Sequence, residues 1–156
     1  NAGYLALWCG IANGAEDILL PEKYDYDEQR IINNIIDNRK KGKKHHIIIN
    51  AEGIGHSQAM AKRIEAATGI ETRATILGHM QRGGTPTCKD RVYASIMGAK
   101  AVDILLEGKT KRVICYRDGE YIDMDINEAL AMKKSISEYQ YEVSYSLSHN
   151  YSKNNQ

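Results

Sequence analysis

The residues best suited to chemistry lie in one glycine-rich stretch, Gly78-His79-Met80-Gln81-Arg82-Gly83-Gly84-Thr85-Pro86. His79 and Arg82 stand three residues apart among glycines, which let a backbone approach a ligand closely. The guanidinium is a planar fork matched to phosphate oxygens, and the imidazole adds a donor that gains charge near neutral pH. Taken alone, His79 reads as a structural histidine; taken together, His79 and Arg82 point to anion binding. Arg73, just upstream, is a third candidate cation, with a salt bridge on an exposed strand edge as its alternative reading. Glu52 follows the run Ile47-Ile48-Ile49. It either partners the N-terminus of the next helix, where the dipole favours a carboxylate, or accepts hydroxyl groups. A carboxylate beside phosphate-binding cations suits a sugar phosphate, with the anion held at one end and hydroxyls at the other.

A second group is basic: Arg39-Lys40-Lys41-Gly42-Lys43-Lys44-His45-His46. Charge runs are commonly solvated surface, and from the residues alone that reading stands first. Glu16, at the start of the preceding strand, offers a carboxylate near Lys41, Lys43 and His45, an arrangement that suits a metal-bound polyphosphate. Gly53-Ile54-Gly55 resembles the start of a dinucleotide fingerprint, but Gln58 stands where the third glycine is needed. A glycine-eased turn into a helix is the better reading.

The elements that must position these groups follow from periodicity. Residues 1–14 read as a buried helix ended by Gly14, and Ile18 to Leu20 as a short buried strand. Asp27 to Arg39 places Ile31, Ile32, Ile35 and Ile36 on one helical face. Ile47-Ile48-Ile49 is β-branched throughout and predicts a strand buried on both faces. A helix over Ser57–Thr68 ends at Gly69, a good C′ residue. Thr72 to Leu77 predicts another strand. Asp90 to Glu107 predicts a long helix with Val92, Ile96, Ala99, Val102 and Leu106 facing inward. Asp118-Gly119 predicts a hairpin turn between Arg112–Tyr116 and Glu120–Met124, and Asn127 to Lys134 a last short helix. Strands alternating with helices imply an α/β fold: three layers, a mostly parallel sheet flanked by helices, plus one antiparallel hairpin. Residues 1–136 read as the folded part. Residues 137–156, rich in Tyr, Ser and Asn without clear periodicity, read as a polar tail that is poorly ordered or docked on a partner.

Ligands bind at the carboxyl ends of strands in open parallel sheets, so the loops after the Ile strand and after Leu77 should share one edge. The basic cluster lies at the opposite, amino end. A strand of five or six residues spans roughly 17–20 Å, so one ligand cannot touch both groups.

The 156 residues carry 21 Lys plus Arg against 20 Asp plus Glu, a net charge of +1, which excludes a broadly basic nucleic-acid binder. An apolar fraction of 42% argues for a packed core and against disorder over the whole length. No apolar run approaches the ~20 residues of a membrane span. The first residues lack the basic region of a signal peptide and read as an internal cut in a longer chain. Cys9, Cys88 and Cys115 are odd in number and widely spaced, which fits free thiols in a cytoplasmic protein better than a disulfide or metal motif.

Leu77 to Pro86, preceded by Glu71-Thr72-Arg73-Ala74-Thr75, closely resembles the fructose 6-phosphate signature of the 6-phosphofructokinase family, bacterial ATP-dependent type. The resemblance continues through Asn1-Ala2-Gly3-Tyr4-Leu5-Ala6, Leu20-Pro21-Glu22, Lys41-Gly42-Lys43-Lys44-His45 and Asp90-Arg91-Val92-Tyr93-Ala94-Ser95, over roughly residues 1–134. It is to the C-terminal half of that family. The Gly-rich ATP site, the magnesium ligands and the aspartate base belong to an N-terminal half and have no match here.

The resemblance implies a glycolytic enzyme that moves the γ-phosphoryl of ATP, with Mg2+, to the 1-hydroxyl of fructose 6-phosphate. It implies sugar contacts by Glu52, 6-phosphate contacts by His79 and Arg82, and an Arg73 that reaches a neighbouring subunit's substrate in a homotetramer. It assigns Glu16, Lys41, Lys43 and His45 to an effector site for ADP or phosphoenolpyruvate, with Glu16 near the effector's magnesium. No catalytic residue falls in this chain, and no nucleic-acid or membrane partner is implied. A pyrophosphate-dependent relative and a non-catalytic sugar-phosphate-binding module are the competing readings.

Overall fold

The computed structural model describes residues 3–23, 27–133 and 135–148. They fall into two compact units. The first comprises the described residues up to Ile76 together with those from Ser135 onward, and the second spans Leu77–Lys133.

In the first unit the order is α1 (Tyr4–Asn13), β1 (Asp17–Leu19), α2 (Glu28–Lys40), β2 (Ile48–Asn50) and α3 (Ser57–Thr68), closed by α6 (Glu138–Ser148). β1 and β2 pair in parallel, Asp17 opposite Ile48, Ile18 opposite Ile49 and Leu19 opposite Asn50. Helix α2 starts where the Asp27 carboxylate accepts hydrogen bonds from the Gln29 and Arg30 amides, satisfying two otherwise orphaned donors. Its isoleucine face is buried as its spacing predicts. Ile31, Ile32 and Ile35 pack with Leu19, Met60 and Ile64 into one core, with Ile36 and Ile48 at its margin. A second cluster joins Leu7 and Leu20 to Ile136, with Ile11, Ile18 and Tyr141 around it. At its N-terminus α1 is met by the Glu22 carboxylate, which accepts from the Gly3 amide at 2.8 Å.

The second unit holds a 3-10 turn (Gly78–Arg82), α4 (Cys88–Leu106), the hairpin β3 (Arg112–Arg117) and β4 (Glu120–Asp125), and α5 (Ile126–Ala131). Asp118 and Gly119 both take positive φ, 52° and 91°, matching the twist that a two-residue hairpin turn needs. Tyr93, Tyr116 and Tyr121 cluster with ring centroids 4.5–5.7 Å apart and join α4 to the hairpin. A capping box starts α4: the Thr87 side chain accepts from the Asp90 amide and the Asp90 carboxylate accepts from the Thr87 amide.

The structure departs from the sequence reading in five places. The N-terminal helix forms but is not buried throughout: Leu5 and Trp8 are exposed, and within α1 only Leu7 and Gly10 are buried. Residues 72–77 form no strand: among the described residues the parallel sheet has two strands, and a segment without a hydrogen-bonded neighbour is not part of a ladder. The isoleucine strand is half-buried rather than covered on both faces, because β1 is its sole partner among the described residues. On α4 the expected inner face is exposed at Val92, Ile96, Ala99, Val102 and Leu106, and Ile104 alone is buried. Finally, Glu138–Ser148, without clear periodicity in sequence, is helical. It is fastened by the Lys23–Glu138 ion pair, by Lys23 over the Tyr141 ring and by Arg30 over the Tyr145 ring. These are polar and aromatic contacts, which leave no 3.6-residue apolar stripe to read. The rest of the tail, 149–156, lies outside the described residues. No helix among the described residues is long and apolar enough to cross a membrane.

Gly10 shows how closely α1 sits on β1. A Cβ there would lie 2.3 Å from Ile18 Cδ1. Gly10→Ala should therefore destabilise the protein by about 1–3 kcal/mol through overpacking, although alanine is the better helix former. Adding Ile18→Ala should make the pair cost less than the two single changes summed, read by urea unfolding. Additive costs would place the helix farther from the strand.

Candidate functional site

The glycine-rich loop is not extended. Gly78 and Gly83, with φ of 58° and 92°, bracket a single 3-10 turn. In a 3-10 helix residues i and i+3 lie directly above one another, so the three-residue spacing brings His79 and Arg82 to one face. Both are exposed, and among the described residues neither side chain has a hydrogen-bond or ion-pair partner.

Glu52 and Arg73 belong to the first unit. Glu52 is exposed in the turn after β2, which is braced by the Ile54 amide donating to Ala51 and by Asn50 Nδ2 donating to Gly55 O and Ser57 Oγ, each at 2.8 Å. It does not cap α3, whose N-cap is His56 in the left-handed region. Arg73 is 84% exposed and paired with Glu71, which matches the salt-bridge alternative and leaves it accessible.

The basic cluster is more structured than a solvated turn requires. Lys41 caps α2 and is exposed, as is His45. Lys43 Nζ lies 2.6 Å from Glu16 Oε1, and Glu16 is buried. The other Glu16 oxygen accepts from the Ile47 amide, and the Glu16 amide donates to Ile47 O at 2.9 Å. Burial alone would raise the Glu16 pKa. The hydrogen bond from Ile47, the bond from Lys43 and the positive charges of His46 and Lys43 outweigh it and hold the carboxyl below its ordinary 4.5.

Two residues that the motifs did not single out complete this group. Asp17, also buried, takes a 2.8 Å hydrogen bond with His46 Nε2. A signal for them existed: an acidic residue opening an apolar strand must find a partner, and His46 is the last residue of the basic run.

Among the described residues no cluster of three or more His, Cys, Asp or Glu side chains could hold a metal ion. Glu16 does not fit a magnesium site as it stands, since both its oxygens are engaged.

Comparison with known proteins decides the family. A family model described as phosphofructokinase matches residues 1–105. The chain belongs to the phosphofructokinase family. It is 49% identical over 148 residues to an ATP-dependent 6-phosphofructokinase of Clostridium botulinum (strain Loch Maree / Type A3), covering 95% of this chain and 46% of that relative. It is 54% identical over 147 residues to ATP-dependent 6-phosphofructokinase 1 of Clostridium perfringens, covering 94% and 46%. Among solved structures, the phosphofructokinase of Pichia pastoris in the T-state matches with a TM-score of 0.70 at 29% identity, over 93% of this chain and 17% of that one. That of Saccharomyces cerevisiae matches at 0.68 and 30%, over 93% and 20%. The chain thus spans about half the length of the curated phosphofructokinases it matches.

The geometry of Glu16 sets a pH dependence. A carboxylate whose folded-state pKa is depressed contributes stability that is fully present above its unfolded value, here 4.5, and is lost as pH falls through the lowered value. Glu16→Gln should therefore cost about 1–3 kcal/mol at neutral pH, and the gap to wild type should narrow as pH drops below 4.5. Urea unfolding at both conditions checks this; a gap constant with pH would mean that the carboxylate's charge is not what the fold uses.

Proposed function

We propose that this chain is the C-terminal, fructose 6-phosphate-binding half of an ATP-dependent 6-phosphofructokinase, a cytoplasmic glycolytic enzyme. The observation that carries the reading is the 3-10 turn that presents His79 and Arg82 on one face, exposed and without partners among the described residues. Identity of 49–54% to ATP-dependent 6-phosphofructokinases over nearly all of this chain supports the reaction and favours ATP over pyrophosphate as donor.

In this reading His79 and Arg82 hold the 6-phosphate and Glu52 accepts sugar hydroxyls. Arg73 exchanges Glu71 for the phosphate of a neighbouring subunit's substrate in a homotetramer. Phosphoryl transfer depends on positioning and electrostatics. The part played by these residues is to fix the sugar by its distal phosphate, so that the 1-hydroxyl is held in line with the γ-phosphoryl. ATP, the magnesium bound with it and the base that takes the hydroxyl proton belong to the other half of the enzyme. Lys41, Lys43, His45 and Glu16 form the effector site, where ADP or phosphoenolpyruvate binds.

Two measurements on the full-length enzyme test this. Arg82→Ala removes a charge-assisted hydrogen bond worth ~1.5–3 kcal/mol, so the KM for fructose 6-phosphate should rise roughly ten- to a hundred-fold. An effect confined to the KM for ATP would put Arg82 in a different site. The double change Lys41→Ala with Lys43→Ala should abolish the shift that ADP produces in the fructose 6-phosphate saturation curve. Equal responses in mutant and wild type would move the effector site elsewhere.

A further inference from the structure

We infer that Asp17 and His46 are positioning residues of the effector site: their buried pair locks the turn 41–47 against the start of β1 and so sets where Lys41, Lys43 and His45 stand. The inference rests on the effector reading of that turn.

Two independent ties connect the turn to β1, and they are adjacent in sequence. Glu16 meets Lys43 at 2.6 Å and Asp17 meets His46 at 2.8 Å. The two ties leave consecutive residues and reach Lys43 and His46, so the turn is held at two points. The Glu16–Lys43 tie cannot do this alone. Lys43 is a proposed ligand contact whose side chain is 35% exposed, and a lysine that turns to an incoming phosphate must loosen its hold on Glu16. The Asp17–His46 tie is free of that conflict. Its side chains are only 3% and 9% exposed, out of a ligand's reach.

The pair is also short of substitutes. His46 Nδ1 is buried without a hydrogen-bond partner among the described residues, so the bond to Asp17 is the one hydrogen bond its ring makes there. Behind Asp17, the side chains of Arg30 on α2 and Tyr141, Ser144 and Tyr145 on α6 close a small cavity that Glu16 and Asp17 also line. Asp17 is thus enclosed between the turn and α6. Removing its charge leaves His46 buried with no acceptor of comparable strength, and the turn gains freedom that ligand binding must then take away.

The test uses the full-length enzyme with ADP as the probe. Asp17→Asn keeps the volume and removes the charge; His46→Gln removes the ring. Each should weaken ADP binding three- to ten-fold by calorimetry. The double variant should be no weaker than the worse single one, because both changes break the same tie. Wild-type ADP affinity in both variants, with only their unfolding midpoints lowered, would make the pair structural and overturn the inference. A measurement on wild type guards against variants that fail to fold: saturating ADP should slow hydrogen exchange at the amides of Asp17, His46 and Ile47. Unchanged exchange there, with ADP bound, would also overturn it. The effector reading is judged separately, by the response of the Lys41 and Lys43 double variant. If that response is lost while Asp17→Asn binds ADP normally, the effector site stands and the positioning role falls.

Discussion

Two carboxylates opening a buried strand impose the constraint on which the first unit depends. Glu16 and Asp17 are 3% and 4% exposed, and buried charges are retained only with partners and hydrogen bonds. Every partner comes from residues 43–47, the segment between α2 and β2. Satisfying the acids therefore brings β2 alongside β1, with Asp17 opposite Ile48. It places the Ile31, Ile32 and Ile35 face of α2 over Leu19, and it forces a basic turn to lie where acidic groups can hold it. Structure and proposed regulation meet here: the charges that the fold neutralises hold Lys43 and His46, which stand in the turn proposed to bind an effector.

The second unit solves a different problem. The groups proposed to contact the sugar's phosphate, His79 and Arg82, are exposed, so burial does not order them. Local geometry does it instead. Glycines at positive φ bracket one 3-10 turn, and a capping box whose N-cap, Thr87, lies five residues beyond Arg82 starts α4. The tyrosine cluster ties α4 to a hairpin whose turn chemistry is itself local. Each device acts over a few residues, which suits a loop whose cations must remain open to a ligand.

Several apolar side chains stay uncovered, among them Leu5 and Trp8 on α1 and Val102, Leu105 and Leu106 on α4. The chain spans 46% of the length of the relatives it matches.

Much of this was legible in the residues. The isoleucine face of α2, the Ser57–Thr68 helix, the Asp118-Gly119 hairpin and the His79–Arg82 pairing all depend on interactions within a few residues, and periodicity, capping and turn chemistry report those directly. The tertiary structure alone decided the rest. Residues 72–77 have strand composition but no ladder, because a strand exists only through its neighbour. The face of α4 lies open, because an apolar stripe does not say what will cover it. α6 is held by Lys23, Arg30 and tyrosines, contacts that reach back more than a hundred residues and carry no local period. Above all, the union of Asp17 with His46 joins residues 29 positions apart. The sequence required that the acid find a partner, and only the parallel pairing of β1 with β2 determined which one.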